Sequence, residues 1–376
     1  MSRGDRASRV AAAEVFRYRL PLIRPLALPS GTHRQREGVL LRVRTEDGAE
    51  GWGEAAPLPG YSPDTLDDVL RDAQRSLPGI RTSWIGSKTS DPDDPRDRLA
   101  QATAPSWACA VEQAVHDVTA MRDGRSLADE YHRVLGRSSS APSATVHVNA
   151  LLTGPDQEQA ASIREMGYRA VKLKVGRRDP DADAAAVRQL ASSMPDTDLR
   201  LDANGAWTLT RAVAFAEALG DVRLAYVEEP LADPKNLAQL LDLDLLPVAL
   251  DESIPNAPRD GSAALIAPAV ADRIAAVVLK PTLGRTARRA ARLRAELGRR
   301  DAQMVISSAF ESGVGMRHLV AFASALGETP AGLDTYRWLA EDVTESPLPL
   351  LGPSIEVAAV LDPNPVAVDR LIPVDL

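Results

Sequence analysis

From Thr145 onward, short apolar runs recur along the chain: TVHVNAL, AVKLKVG, LRLDANG, AYVEEPL, VALDES, AAVVLKP, MVISSAFES and AGLDT. They start 23 to 29 residues apart, and most gaps carry helical periodicity, as in DADAAAVRQLASSM and TRAVAFAEALG. Eight strands alternating with helices over about 200 residues predict a closed (β/α) barrel. An open doubly wound sheet is the alternative, but no G-x-G-x-x-G follows the first strand and there is no P-loop.

The pattern ahead of this is different. GVLLRVRTEDGAEGWGEAAPL alternates around Asp47-Gly48, the signature of a hairpin. A helix is predicted to open at Ser62-Pro63 and to turn Leu66, Val69 and Leu70 inward, with further helices over 107–121 and 126–135. TSDPDDPRDR (89–98) reads as a polar, proline-broken loop. Strands followed by helices predict an α+β unit. The Ser/Pro-rich stretch GRSSSAPSA (136–144) is the natural boundary, giving a first unit over 1–140 and a barrel over 141–344. The proline-rich tail, 345–376, holds one strand-like piece, SIEVAAVL, and is expected to leave the barrel and pack on the first unit.

Charge narrows the functional classes. With 44 basic and 52 acidic residues the net charge is −8, so no basic surface awaits nucleic acid or an anionic membrane. No apolar run approaches the roughly 18 residues of a membrane span, and MSRGDRASRV has no signal-peptide core. One cysteine, Cys109, excludes an intramolecular disulfide and a cysteine-built zinc site, and a cytoplasmic, reducing setting is expected. Among the 44 basic residues only Lys88, Lys172, Lys174, Lys235 and Lys280 are lysine. Arginine stays protonated in proteins whereas lysine can lose its proton, and three of these five fall on predicted strands.

Barrel strands should be apolar inside and carry their chemistry at their C-terminal ends. Six of these end in polar or charged groups: Lys172 and Lys174; Asp202 and Asn204; Glu228 and Glu229; Asp251 and Glu252; Lys280; Ser307, Ser308 and Glu311. Residues two apart on a strand share a face, so Lys172 points with Lys174, and Arg200 with Asp202 and Asn204. Glu228 and Glu229 must point to opposite faces. A single acid at a strand end is usually a helix cap or a loop ion pair. That reading does not explain three successive acidic strand ends flanked on both sides by lysine-bearing strands. Unpaired, such charges are very costly to bury, and a divalent cation resolves the conflict. Carboxylates without histidine or thiolate suit Mg²⁺ rather than zinc. Lysines held beside a metal in low dielectric are expected to lose their protons more readily and serve as bases. The constellation suits removal of a proton α to a carboxylate.

KLKVG, LRLDANGAW, YVEEPL, ALDES and LKP, in this order and spacing, resemble the enolase superfamily, specifically its muconate-lactonizing subgroup. The resemblance covers nearly the whole chain and implies a (β/α)₇β TIM-like barrel with an N-terminal α+β capping domain and a C-terminal return to it. It implies Asp202, Glu228 and Asp251 as Mg²⁺ ligands, Lys174 as base and Lys280 as the opposite lysine. Lys172 would stand beside the base as a second positive charge. Asn204 and Glu252 match supporting positions, with Glu252 orienting Lys280, and Ser307, Ser308 and Glu311 match the substrate-binding segment of the seventh strand. Arg200 either pairs inside the barrel with a metal-site carboxylate or touches substrate. PSGTHRQREG (29–38) resembles a mobile loop closing over the site, with a solvated surface loop as the alternative. The segments 51–62, 307–315 and 332–338 carry a finer likeness, to members that eliminate water; racemases and epimerases of the superfamily use the same residues. Dipeptide epimerases show a D-x-D on the last strand, where GLDT offers only Asp334. The partner implied is a small carboxylate, and an oligomer is compatible with the sequence. A Schiff-base aldolase built on Lys280 leaves the three carboxylates unexplained, and a non-catalytic binder should lack part of the constellation. The five histidines have no metal-binding spacing, and His318 is placed on a helix.

Overall fold

A computed structural model describes residues 7–86, 104–137, 140–152, 154–254, 265–284, 286–297, 302–327, 329–350 and 352–376. The loop read at 89–98 lies outside them.

The chain opens with an antiparallel meander of β1 (Ser8–Leu28), β2 (Gly31–Thr45) and β3 (Glu50–Ala55). The predicted hairpin is β2–β3, with Val39 opposite Ala55. Gly48 takes the positive φ of 87° that its turn requires. β1 has no counterpart in the sequence reading. Its pairing with β2 breaks between Pro21 and Leu26 and resumes with Leu26 opposite His33. The segment 29–38 is therefore not a free loop: Gly31 to Gly38 are paired strand at the tip of a bent ribbon. β4 (Trp84–Ile85) adds to β1.

α1 (Leu66–Arg81) starts later than Ser62-Pro63, because Thr65 and Asp68 form a reciprocal capping box. α2 (Pro105–Asp123) and α3 (Leu127–Val134) occupy the predicted stretches. The inner face of the sheet packs on Val69, Leu77 and Ile80 of α1 and on Trp107, Val111 and Val115 of α2. Gly51 and Gly53 on β3 permit this approach: a Cβ on either would collide with the α2 carbonyls of Ala114 and Ala110.

β5 (Thr145–His147) leads into a parallel sheet of seven strands in sequential order: β6 (Ala150–Leu152), β7 (Ala170–Lys174), β8 (Asp198–Asp202), β9 (Tyr226–Glu228), β10 (Val248–Leu250), β11 (Ala276–Leu279) and β12 (Gln303–Ile306). Between them lie α4 (Gln157–Glu165), α5 (Pro180–Ser193), α6 (Leu209–Leu219), α7 (Leu237–Asp242), α8 (Pro268–Ala271) and α9 (Ala287–Leu297), with α10 (Gly313–Leu326) after β12. The sheet curls as in a TIM-like barrel. Two of the eight predicted strands need correction. TVHVNAL divides: β5 pairs antiparallel with β13 (Ser354–Glu356), and only Ala150–Leu152 joins the parallel sheet. AGLDT is not a strand but makes two parallel bridges, Ala331 to Val148 and Gly332 to Ser307. Those bridges link the two outer edges of the curled sheet. Pro330, which lacks an N–H, precedes them and limits how far the pairing extends.

Within the tail, SIEVAAVL is strand only at β13 and continues as α11 (Val357–Leu361). β14 (Ile372–Pro373) then returns to the first sheet, opposite Arg17 and Phe16 of β1. The sheet also grips α10: buried His318 donates from Nε2 to Trp52 O at 2.9 Å and accepts the Tyr131 hydroxyl at Nδ1, also 2.9 Å. No helix among the described residues is long and apolar enough to cross a membrane.

Candidate active site

The strand register builds the site in two layers. Lys174, Asp202 and Glu228 are direct neighbours across β7, β8 and β9, and one layer deeper Lys172, Arg200 and Tyr226 are aligned in the same way. Asp251 and Lys280 follow the last residues of β10 and β11 and continue the upper layer around the sheet. Asp202, Glu228 and Asp251 are at most 3% exposed, so all three carboxylates point inside.

Lys172 lies between two of them, with Nζ 2.8 Å from Asp202 Oδ2 and 2.8 Å from both oxygens of Glu228. Lys174 donates to Asn204 Oδ1 at 2.5 Å and stands 3.5 Å from Asp202 Oδ2. On the other side Lys280 donates to Asp251 Oδ2 and lies 3.5 Å from Glu252 Oε1. The two lysines of the upper layer thus flank the carboxylate row. The lysine pair Lys172 and Lys174 does share a face, as the two-residue spacing requires.

Glu229 turns the other way, with a positive φ of 42°. Its Oε1 accepts Asp251 N at 2.6 Å, Ser253 N at 2.9 Å and Ser253 Oγ at 2.8 Å. It therefore shapes the turn that carries Asp251. Arg200 makes no ion pair to the carboxylate row. Its deeper register sends Nη1 to Asn149 Oδ1 (3.1 Å) and Pro330 O (2.6 Å), with the guanidinium over the Tyr226 ring.

The electrostatics follow from burial and pairing. Burial opposes the Asp202 charge, but Lys172 and Lys174 outweigh it and hold the carboxyl well below the usual range. Burial pushes Glu228 up to about 8 against the pull of Lys172, and the charges of Asp202 and Asp251 add to the rise. Lysine protons are expected to loosen beside a bound metal, whereas Lys172 and Lys280 here face the carboxylates alone. Burial works in that direction, but the adjacent carboxylates outweigh it and raise both groups.

Among the described residues no group of three or more acidic, histidine or cysteine side chains converges closely enough to hold a metal ion. Ammonium groups stand between the carboxylates instead. The donor set itself fits a hard divalent cation: three buried carboxylates, all oxygen, on adjacent strand ends, already drawing cations inward.

Ser307 and Ser308 follow β12. The Ser308 hydroxyl donates to Gly332 O at 2.9 Å and meets Thr335 Oγ1 at 2.6 Å. Glu311 packs with Glu54 of the first sheet against Gly315, and its Oε2 accepts Ala309 N of its own segment at 2.5 Å. Two residues that sequence reasoning missed grip this segment, Arg36 on β2 and Glu54 on β3. Neither carries a periodic signal, since each is a charged residue at a buried strand position whose partners in this segment lie more than 250 residues away.

Residues 156–360 match the family model described as enolase C-terminal domain-like, and residues 10–112 match the MenC N-terminal domain. The chain therefore belongs to the enolase superfamily, whose members typically use Mg²⁺. Its sequence relatives include the o-succinylbenzoate synthase of Vibrio cholerae, 32% identical over 330 residues, covering 86% of this chain and 89% of that protein. The chloroplastic protein PHYLLO of Arabidopsis thaliana is 31% identical over 89% of this chain, which spans only 21% of PHYLLO's length. The fold is shared with the L-Ala-D/L-Glu epimerase of Bacillus subtilis, at a TM-score of 0.75 and 21% identity, over 95% of this chain and 97% of that one. It is also shared with the muconate lactonizing enzyme of Pseudomonas fluorescens, at 0.74 and 22%, over 97% and 98%.

Proposed function

We propose that this protein is an o-succinylbenzoate synthase, a hydro-lyase of menaquinone biosynthesis in the cytoplasm. It dehydrates 2-succinyl-6-hydroxy-2,4-cyclohexadiene-1-carboxylate to 2-succinylbenzoate. The observation that carries the reading is likeness to synthases along most of the chain, with a lysine on each side of the buried carboxylate row. The barrel over 141–344 would supply the chemistry, and the capping unit over 1–140, with its return at 345–376, would cover it.

Asp202, Glu228 and Asp251 would hold one Mg²⁺, which supplies positive charge for the substrate carboxylate as its α-proton leaves. Lys174 takes that proton. The C–H electron pair becomes the new ring double bond, the C–O bond breaks, and the departing hydroxide takes a proton from the same lysine, so one water leaves. Lys280 stays protonated and stabilises the developing negative charge. Asn204 positions the Lys174 amine, Glu252 supports Lys280, and Ser307, Ser308 and Glu311 belong to the segment that receives the substrate.

A second reading, racemisation of an N-succinylamino acid, is favoured by the placement of Lys174 and Lys280 on either side of the row, where each could serve one face of an α-carbon. Dipeptide epimerisation is less well supported, because Asp334 is paired with Arg337 at 2.7 Å. The deciding experiment is a direct assay with the cyclohexadiene substrate and Mg²⁺, read as formation of the aromatic product and its arrest by a chelator. Efficient racemisation beside negligible dehydration would overturn the synthase reading and leave fold and site intact.

A further inference from the structure

The segment after β12 is held from outside the barrel by two buried charges of the first sheet. Arg36 donates from Nε to Phe310 O at 3.1 Å and from Nη2 to Ala309 O at 3.3 Å, and its other donors reach the carbonyls of Ala56, Pro57 and Glu37. Glu54 takes the far end: it accepts Ser312 N at 2.9 Å, Ser312 Oγ at 2.6 Å and Gly315 N at 2.7 Å, and the Tyr18 hydroxyl at 2.5 Å. Burial raises the Glu54 carboxyl, and the four donors on it work against that rise and favour the ionised form.

Glu311 lies beside it and has little such support. It is 2% exposed, and its Oε1 is buried without a hydrogen-bond partner among the described residues. Both side chains pack on Gly315, where a Cβ would stand 2.6 Å from Glu54 Oε2 and 2.7 Å from Glu311 Cβ. Two buried carboxylates packed on one glycine repel when both are ionised, so the Glu54 charge disfavours ionisation of Glu311. The other groups facing the pair are Arg36 on β2, Tyr18 on β1 and Cys109 on α2, the last two kept neutral by burial. Beyond Gly313, Asp342 is occupied by Gly313 N, Val343 N and the hydroxyls of Tyr336 and Thr344.

We propose that Glu311 is held protonated against an ionised Glu54, and that this single proton keeps the first sheet closed on the segment carrying Ser307 and Ser308. The inference rests on the proposed role of that segment in receiving the substrate. Burial, with the Glu54 charge next in weight, pushes Glu311 up to about 7. Loss of its proton places two anions at one junction and loosens 309–315.

Hydrogen exchange on the full chain, from about pH 6 to about pH 9 and corrected for the intrinsic rate, tests this. In the wild type, protection of the 309–315 amides should fall by about tenfold as pH rises through neutrality, a loss of roughly 1.4 kcal/mol. Glu311→Gln, permanently neutral, should remain protected throughout. Glu54→Gln removes the repelling charge, so Glu311 ionises at lower pH and the loss of protection should shrink, with its midpoint moved toward acid. A flat wild-type profile, an identical loss in Glu311→Gln, or an unmoved midpoint in Glu54→Gln would each overturn the proposal. The readout does not depend on turnover, so a failed synthase assay and a failed proton lock remain separate results.

Discussion

Lys172 and Lys174 share a face of β7, yet their surroundings divide their work. Lys172 is locked between Asp202 and Glu228, whereas Lys174 has Asn204 as its near partner and is the more exposed of the two. Lys174→Arg should therefore lose as much activity as Lys174→Ala, because guanidinium keeps the charge but offers no usable base. Substantial turnover in the arginine variant would remove Lys174 from the base role. Glu228 and Glu229 provide a matched comparison. Glu228→Gln should lower kcat/KM by roughly three orders of magnitude, on the scale of the several kcal/mol that a catalytic metal contributes. Glu229→Gln should cost far less, since it keeps one oxygen for Asp251 N and Ser253; isothermal titration with Mg²⁺ would show the same ranking. The barrel acids were legible because strand periodicity and strand order bring them together. Arg36 and Glu54 were not, because a buried charge is explained only by partners that the folded chain delivers.

At the scale of elements, the β2–β3 hairpin and α2 were readable from alternation, turn chemistry and period. β1 was not, since Pro21 and Pro25 break an otherwise regular strand where the ribbon bends. α1 was displaced by a local contest in which the Thr65–Asp68 capping box prevailed over Ser62-Pro63. The eighth strand failed because AGLDT has the composition of a strand but only two residues with bridging partners. Close packing of β3 on α2 carries its own expectation. Gly53→Ala drives a methyl group into the Ala110 carbonyl, a backbone atom that cannot rotate away. The helix must shift, and the loss should be about 2–3 kcal/mol in denaturant unfolding.

At the scale of the whole molecule, His318 fastens the first sheet to α10 as a neutral imidazole. Burial, assisted by Arg317, pushes it down to about 3. The unfolded chain binds its proton near pH 6.5, so between those values the unfolded state holds more protons and stability falls as pH drops. The loss from this one group reaches about 2 kcal/mol at about pH 5. His318→Gln should lie below wild type at neutral pH, and the gap should narrow by about that amount on acidification, measured as denaturant midpoints. An unchanged gap would mean that His318 is charged in the fold.

The pairing of β14 with β1, and of β13 with β5, sets a timetable for folding. Synthesis delivers Phe16 and Arg17 more than 350 residues before Ile372 and Pro373, their eventual neighbours. At roughly 5–20 residues per second, β1 waits tens of seconds on the ribosome with one edge open. An open strand edge invites pairing with another chain. The nascent first sheet is therefore the part of this protein with most to gain from a chaperone, and a ribosome-stalled chain lacking its last residues should be markedly more prone to aggregate than the released one.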